Sequence, residues 1–167
     1  MVTDRPVINQ EEMNMLVIGT KAPNFSLPDA DGNEVALTDY IGKKVLIWFF
    51  PKADTPGCTI EGCGLRDNFS QYELESTQIL GMSADSPVKQ KKFVDKYDFQ
   101  FPMLCDESKE VLKTYHAWGP KKLYGREYEG ILRISYLIDE TGVIRKAYSK
   151  VKTKTHALDV LADILTL

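Results

Sequence analysis

The apolar positions of this chain fall in short blocks, and their period changes from one block to the next. Residues 45–50 (VLIWFF) are apolar without alternation, which predicts a strand covered on both faces. Residues 78–83 (QILGMS) predict a second buried strand and 101–104 (FPML) a short third one. Residues 133–138 and 143–148 predict a hairpin across 139-DETG-142. Nearer the start, 24–27 and 34–36 predict two extended segments around 28-PDADGN-33, where Gly32 and Asn33 tolerate positive φ.

Helical signals fill the gaps. One helix is predicted from Thr55 to about Tyr72. A second runs to about Tyr97, with Ser86 as N-cap and Pro87 at its first position. A third covers 108–115, with Val111 and Leu112 on its apolar side. The last covers 155–165, with Ala157, Leu158, Val160, Leu161 and Ile164 turned inward. Residues 117–131 follow neither period and read as an irregular, glycine-marked excursion. Strands alternating with helices, then a hairpin and a helix, imply an α/β sandwich with a central mixed β-sheet flanked by helices.

Composition narrows the class. A chain of 167 residues is most simply one domain, here 16–167 behind a polar leader at 1–15. The net charge of -3 and a pI near 5.5 argue against nucleic acid or an anionic membrane as partner. Lys91, Lys92 and Lys96 are offset by Asp95, Asp98 and Asp106, so no basic face builds up. The leader carries Asp4, Glu11 and Glu12 without an apolar core, unlike a secretory signal. No stretch approaches the roughly 18 apolar residues of a membrane span. Three cysteines are too few for a secreted disulfide framework, and the expected location is cytoplasmic.

Two of those cysteines lie in 51-PKADTPGCTIEGCG-64, directly after the first buried strand. In open α/β sheets reactive groups collect where a strand gives way to a helix. With Thr55 as N-cap and Pro56 as the first helical residue, Cys58 falls in the first turn. There it meets unpaired backbone N–H groups and the positive end of the helix dipole. Both favour a thiolate. Lowering a free thiol's pKa of about 8.5 by two units takes about 2.7 kcal/mol, and a helix terminus supplies about 0.3–1 kcal/mol. A further cation is required, and Arg133 is the candidate. The competing reading is a buried cysteine that happens to follow a turn.

The spacing in 51-PKADTPGC-58 (Pro, three residues, Thr, two residues, Cys) resembles the active-site signature of peroxiredoxins. The wider 49-FFPKADTPGCTIEGCGLRD-67 resembles the peroxiredoxin Q branch, also called bacterioferritin comigratory protein. The likeness continues through 101-FPMLCDE-107, 118-WGPKKLYGREYEGILRISYLID-139 and 152-KTKTHA-157. It implies a thioredoxin-like fold with an N-terminal β extension. It also implies reduction of hydrogen peroxide and organic hydroperoxides with no cofactor: no metal, haem or flavin.

By the same resemblance Cys58 is the peroxidatic cysteine, which becomes a sulfenic acid. Thr55 orients thiolate and peroxide, Pro51 shields the site from water, and Arg133 stabilises the thiolate and the leaving oxygen. Glu61, three residues after Cys58 on one helix face, orients Arg133. Each has a plainer reading: Pro51 as a strand end, Thr55 as a cap only, Arg133 and Glu61 as surface charges.

The resemblance further implies that Cys63 resolves the sulfenic acid as an intramolecular disulfide, recycled by thioredoxin or a similar dithiol donor. In an ideal helix Cα atoms five residues apart stand roughly 8.6 Å from one another, beyond the roughly 7 Å a disulfide tolerates. The helix must therefore unwind. Gly62 and Gly64 flank Cys63, where the family more often has alanine and a larger residue, and each weakens a helix by about 0.8–1 kcal/mol. They ease that unwinding or give a neighbouring backbone room.

Cys105 stands where the pattern usually has a serine-like residue. It reads as an inert buried thiol, with a backup resolving or crosslinking thiol as the alternative. His116 and His156 lie far from the cysteines in sequence, and a zinc site with Cys58 and Cys63 lacks a matching second pair. Trp118 and Tyr124 are candidates to wall the site or merely to pack. Two other functions compete: a general thiol-disulfide oxidoreductase, which the missing C-x-x-C disfavours, and a redox-switched binding protein. No long apolar stripe demands assembly, so a monomer is expected over a homodimer.

Overall fold

The computed structural model describes residues 14–167; residues 1–13, most of the polar leader, lie outside the described residues. Two short antiparallel strands, β1 (Ser26–Pro28) and β2 (Glu34–Ala36), come first. The central sheet contains β3 (Lys44–Phe49), β4 (Thr77–Ser83) and β5 (Met103–Cys105). A separate two-stranded hairpin follows, β6 (Trp118–Leu123) and β7 (Arg126–Ile131). Strands β8 (Ser135–Ile138) and β9 (Ile144–Tyr148) complete the sheet. The helices are α1 (Pro56–Asp67), α2 (Phe69–Leu74), α3 (Pro87–Tyr97), α4 (Glu110–Thr114) and α5 (His156–Ile164).

The central sheet runs in the order β5-β4-β3-β8-β9. The first three strands are parallel to one another, and β8 and β9 add antiparallel. This is the mixed sheet that the apolar blocks predict. Side chains along β3 alternate between two cores, as the pleat requires. Leu46, Trp48 and Phe50 pack with Leu65 of α1, Tyr72 of α2, Phe93 of α3 and Val160 of α5. Val45, Ile47 and Phe49 pack with Leu27 and Val35 of the N-terminal strands and Leu112 of α4. The N-terminal β extension thus covers the face that the four other helices leave open. Met15 is buried in the same core, so packing already begins within the segment read as leader.

Several expected boundaries move. The helix expected from Thr55 to Tyr72 breaks at Asn68, whose side-chain amide donates to the Gly64 carbonyl (2.8 Å) and so competes with the backbone ladder. The third strand sits at Met103–Cys105 rather than 101–104, and the helix expected over 108–115 shortens to Glu110–Thr114. Leu158 is exposed, not inward, because it lies about 100° round α5 from Ala157; buried His156 takes a place on the inner face.

The largest correction is 117–131. It is a regular hairpin closed by the two-residue turn Tyr124-Gly125, both at positive φ (52° and 76°). Most of its residues are exposed, so neither face carries an apolar alternation to betray it.

Candidate active site

The chain leaves the centre of the sheet at Phe50 and makes a tight loop before α1. The Ala53 amide donates to the Asp85 carboxylate (2.8 Å), which also accepts from the Ser83 hydroxyl (2.7 Å). Asp54, at φ 60°, is held by Lys96 Nζ (3.0 Å) and the Tyr97 hydroxyl (2.9 Å). Thr55 occupies the N-cap position, but its hydroxyl donates to the Lys52 carbonyl (2.8 Å) instead of accepting from the helix. Pro56 is the first helical residue, and the first helical bond is Thr59 N to Thr55 O (2.9 Å). The Gly57 and Cys58 amides therefore precede the intrahelical ladder. Pro51, half-buried, leads this loop, and Cys58 is fully buried at its end.

Arg133 reaches the same point from just before β8, the strand paired beside β3. It lies between β7 and β8, where Phe49 N donates to Ile134 O (3.0 Å) and fastens the junction to the end of β3. Its Nη2 approaches Cys58 Sγ at 3.5 Å and its Nη1 donates to Glu61 Oε1 at 2.9 Å. A Cβ on Gly57 would stand 2.9 Å from Nη2, so glycine there clears the guanidinium's path. Pro51, Thr55, Cys58, Glu61 and Arg133 are thus assembled at one strand end. Cys63 stands about one and a half turns further along α1.

Glu61 is buried, unlike the exposed helix glutamate that is its plainer reading. Burial pushes its carboxyl up to about 7, with Arg133 opposing the shift. Its second oxygen, Oε2, has no hydrogen-bond partner among the described residues, and His156 Nε2 stands 3.9 Å away. His156 shares a 2.9 Å contact with Ser135 Oγ, and burial pulls its pKa down to about 4. Distance in sequence is therefore misleading: His156 backs the site. His116 lies elsewhere, with Nδ1 2.7 Å from the Asn14 carbonyl. Among the described residues no cluster of histidine, cysteine and carboxylate could hold a metal ion.

The two glycines beside Cys63 differ. A Cβ on Gly62 would stand 2.7 Å from Phe99 Cζ and 3.1 Å from Trp48 Cη2; on Gly64 it would meet only Ala157 Cβ at 3.7 Å. Gly62 is needed for close approach, of aromatic rings rather than backbone, whereas Gly64 has room for a side chain. Cys63 is half-buried, and burial raises its thiol pKa, with Arg66 opposing and Asp67 adding.

Cys105, at the end of β5, is pushed up to about 12 by burial, then by Glu107, Asp85 and Asp29. Tyr124 is 98% exposed at the hairpin tip and walls nothing, while Trp118 Nε1 donates to Glu129 Oε2 (3.2 Å).

One half-buried cation of the hairpin goes unmarked in the sequence. Lys121, on β6, donates from Nζ to Ile131 O (2.8 Å). Burial and then repulsion from Arg133 lower its pKa, against the pull of Cys58. Strand alternation separates it from exposed Lys122, and that period becomes readable only once the hairpin is recognised.

The AhpC/TSA family model matches residues 18–147. Peroxiredoxin Bcp of Escherichia coli is 46% identical over 144 residues, 86% of this chain and 92% of that protein. A putative peroxiredoxin of Mycobacterium tuberculosis is 41% identical over 149 residues, 89% of this chain and 95% of its own. Among solved structures, Xylella fastidiosa PrxQ superposes with a TM-score of 0.86 at 29% identity, covering 90% of this chain and 96% of that one. Xanthomonas campestris peroxiredoxin Q gives 0.81 at 31%, covering 85% and 90%. The expected thioredoxin-like fold is the one these neighbours share, and the chain belongs to the AhpC/TSA family as a peroxiredoxin enzyme of the peroxiredoxin Q (Bcp) branch.

Proposed function

We propose that this chain is a two-cysteine peroxidase in which Cys58 reduces the peroxide and Cys63 resolves the product. One observation carries the reading: Arg133 bridges the Cys58 sulfur (3.5 Å) and the buried Glu61 carboxylate (2.9 Å) beside the unpaired amides that open α1. A thiolate held there attacks the terminal peroxide oxygen. The S–O bond forms, the O–O bond breaks, and the leaving alkoxide or hydroxide takes a proton. Arg133 faces the developing charge, Glu61 holds Arg133, and the loop of Pro51 and Thr55 bounds the site. The structurally similar bacterioferritin comigratory protein of Xanthomonas campestris has alkyl peroxide reduction activity, which supports organic hydroperoxides as substrates here too.

The Cys63 thiol then gives up its proton and its sulfur attacks the sulfenic sulfur; an S–S bond forms, the S–O bond breaks, and the departing hydroxide takes up that proton as water. Both cysteines belong to the single helix Pro56–Asp67, so this step requires α1 to unwind locally. Thioredoxin or a similar dithiol reopens the bond. Peptide mapping after one equivalent of hydrogen peroxide tests the scheme: a Cys58–Cys63 crosslink is expected, with a sulfenic-acid trap on Cys58 in Cys63→Ser. A Cys58–Cys105 link, or a persistent sulfenic acid in the parent chain, removes Cys63 from its role. Gly64→Ala, for which there is room, should slow crosslinking by up to about fivefold through its roughly 0.8–1 kcal/mol of added helix stability; an unchanged rate dissociates Gly64 from the unwinding.

A further inference from the structure

A threonine at a helix N-cap ordinarily accepts from an amide of the first turn. The Thr55 hydroxyl instead donates to Lys52 O at 2.8 Å. A carbonyl oxygen can only accept, so the single hydroxyl proton is committed to it and the lone pairs of Thr55 Oγ are left to accept. A hydroperoxide arriving at Cys58 brings an O–H that needs such an acceptor.

What sets this polarity is the next peptide unit. Lys52 O and Ala53 N belong to one planar group and point to opposite sides of it. While Lys52 O faces Thr55, Ala53 N donates to Asp85 Oδ2 at 2.8 Å. Asp85 is held in turn from the end of β4 and from α3. Ser83 Oγ donates to the same carboxylate oxygen (2.7 Å), and Gln90 Nε2 donates to Ser83 Oγ and to Leu104 O (2.9 Å each). Turning the buried Gln90 amide round would aim its oxygen at the Leu104 carbonyl. Its orientation is therefore fixed, although Gln90 Oε1 has no partner among the described residues. Asp54, between this peptide and Thr55, sits at φ 60° and is gripped from α3 by Lys96 Nζ (3.0 Å) and the Tyr97 hydroxyl (2.9 Å).

We propose that Asp85 is a positioning residue for the peroxide reaction: by holding the Ala53 amide it turns the Lys52 carbonyl to Thr55, so that the Thr55 oxygen meets the substrate as an acceptor. The inference rests on the reading of Cys58 as the peroxidatic thiol and of Thr55 as the residue that orients the peroxide. Without Asp85 the peptide is free to rotate, its carbonyl turns to water, and the Thr55 proton is no longer committed.

The test uses the full chain with Cys63→Ser and Cys105→Ser, which leaves Cys58 as its single thiol. Two rates are measured. One is oxidation by hydrogen peroxide; the other is alkylation by iodoacetamide, which needs the thiolate but no acceptor for a substrate proton. Asp85→Ala should slow oxidation by about five- to tenfold, as expected for a lost hydrogen bond to a charged group, and leave alkylation within about twofold. Asp85→Asn keeps an oxygen for the Ala53 amide and should restore most of the oxidation rate. Thr55→Val should slow oxidation by about tenfold or more. Adding Asp85→Ala to Thr55→Val should then cost no more than about twofold, because a residue acting through Thr55 has nothing left to act on.

Effects that multiply in the double variant overturn the proposal, since Asp85 would then act by another route. So does equal slowing of oxidation and alkylation in Asp85→Ala, the mark of a loosened loop, or an oxidation rate like the parent's. Asp85→Asn as slow as Asp85→Ala would assign the effect to the charge and overturns it too. A Thr55→Val chain as fast as the parent sinks the reading of Thr55 and the proposal with it. A parent Cys58 no faster with peroxide than free cysteine would instead sink the peroxidase reading, whatever the variants do.

Discussion

Cys58 and Cys105 stand at the same edge of the sheet, one just beyond the end of β3 and the other closing β5, and both are buried. What faces their sulfurs differs in sign. Cys58 has the Arg133 guanidinium at 3.5 Å and the opening of a helix. Cys105 has three carboxylates nearby, and its thiol donates to the Asp29 carbonyl at 4.0 Å. Burial alone makes a thiol inert by penalising the thiolate. The comparison teaches that the charge arranged around a buried sulfur, not its burial or its place at a strand end, separates a candidate nucleophile from a filler.

Exchanging each cysteine for serine should break the symmetry most visibly. Cys58→Ser is expected to abolish peroxide consumption, and Cys105→Ser to leave it within about twofold, since only the nucleophile is irreplaceable. Loss of activity in Cys105→Ser would overturn the assignment of that thiol as filler. Next in size, Arg133→Met gives Cys58 surroundings more like those of Cys105. Removing a charged donor of this kind should lower kcat/KM for hydrogen peroxide by about a hundred- to a thousandfold. A near-normal rate would mean that the helix opening suffices without the cation.

The smallest effect is expected from Glu61→Gln, and it carries a pH signature. The folded chain holds the Glu61 carboxyl at about 7 against an ordinary 4.5, so it binds the extra proton between those values. Stability from this group is fully present below 4.5 and is lost as pH rises through about 7. Glu61→Gln should therefore gain thermal stability relative to the parent as pH is raised from 5 to 8, while losing activity. His156 runs the other way: held at about 4 rather than 6.5, it withdraws stability as pH falls between those values, in both chains alike. A pH-independent difference in melting temperature would indicate that Glu61 stays ionised throughout.

Where residues bury an apolar face, the sequence was readable. The run 45–50 became β3, Ser86-Pro87 opened α3 at the expected place, and the Pro51–Cys58 spacing marked the strand-to-helix turn. The hairpin of residues 118–131 was not readable, because most of its side chains meet water and leave no period. Its Tyr124-Gly125 turn also puts a tyrosine at φ 52°, where asparagine or aspartate is the usual signal. Lys121 was hidden for the same reason. Gly62 was legible as a helix weakener but not as a contact for Phe99 and Trp48, since those rings come from elsewhere in the chain. Arg133 and Glu61 emerged from the family likeness; their pairing is a tertiary event that no local pattern encodes.

Glu61 also lies between the two cysteines of α1, inside the segment that must leave helical geometry for their sulfurs to meet. Joining them as proposed would draw its carboxylate off Arg133 and uncover the rings packed on Gly62. That strain is released when a dithiol cleaves the bond and α1 rewinds. In electrochemical terms the helix makes the disulfide a stronger oxidant, by about 30 mV for each roughly 1.4 kcal/mol of folding regained. An equilibrium titration against a dithiol of known potential would read this directly, and the donor would meet a bond that the reduced fold already favours opening.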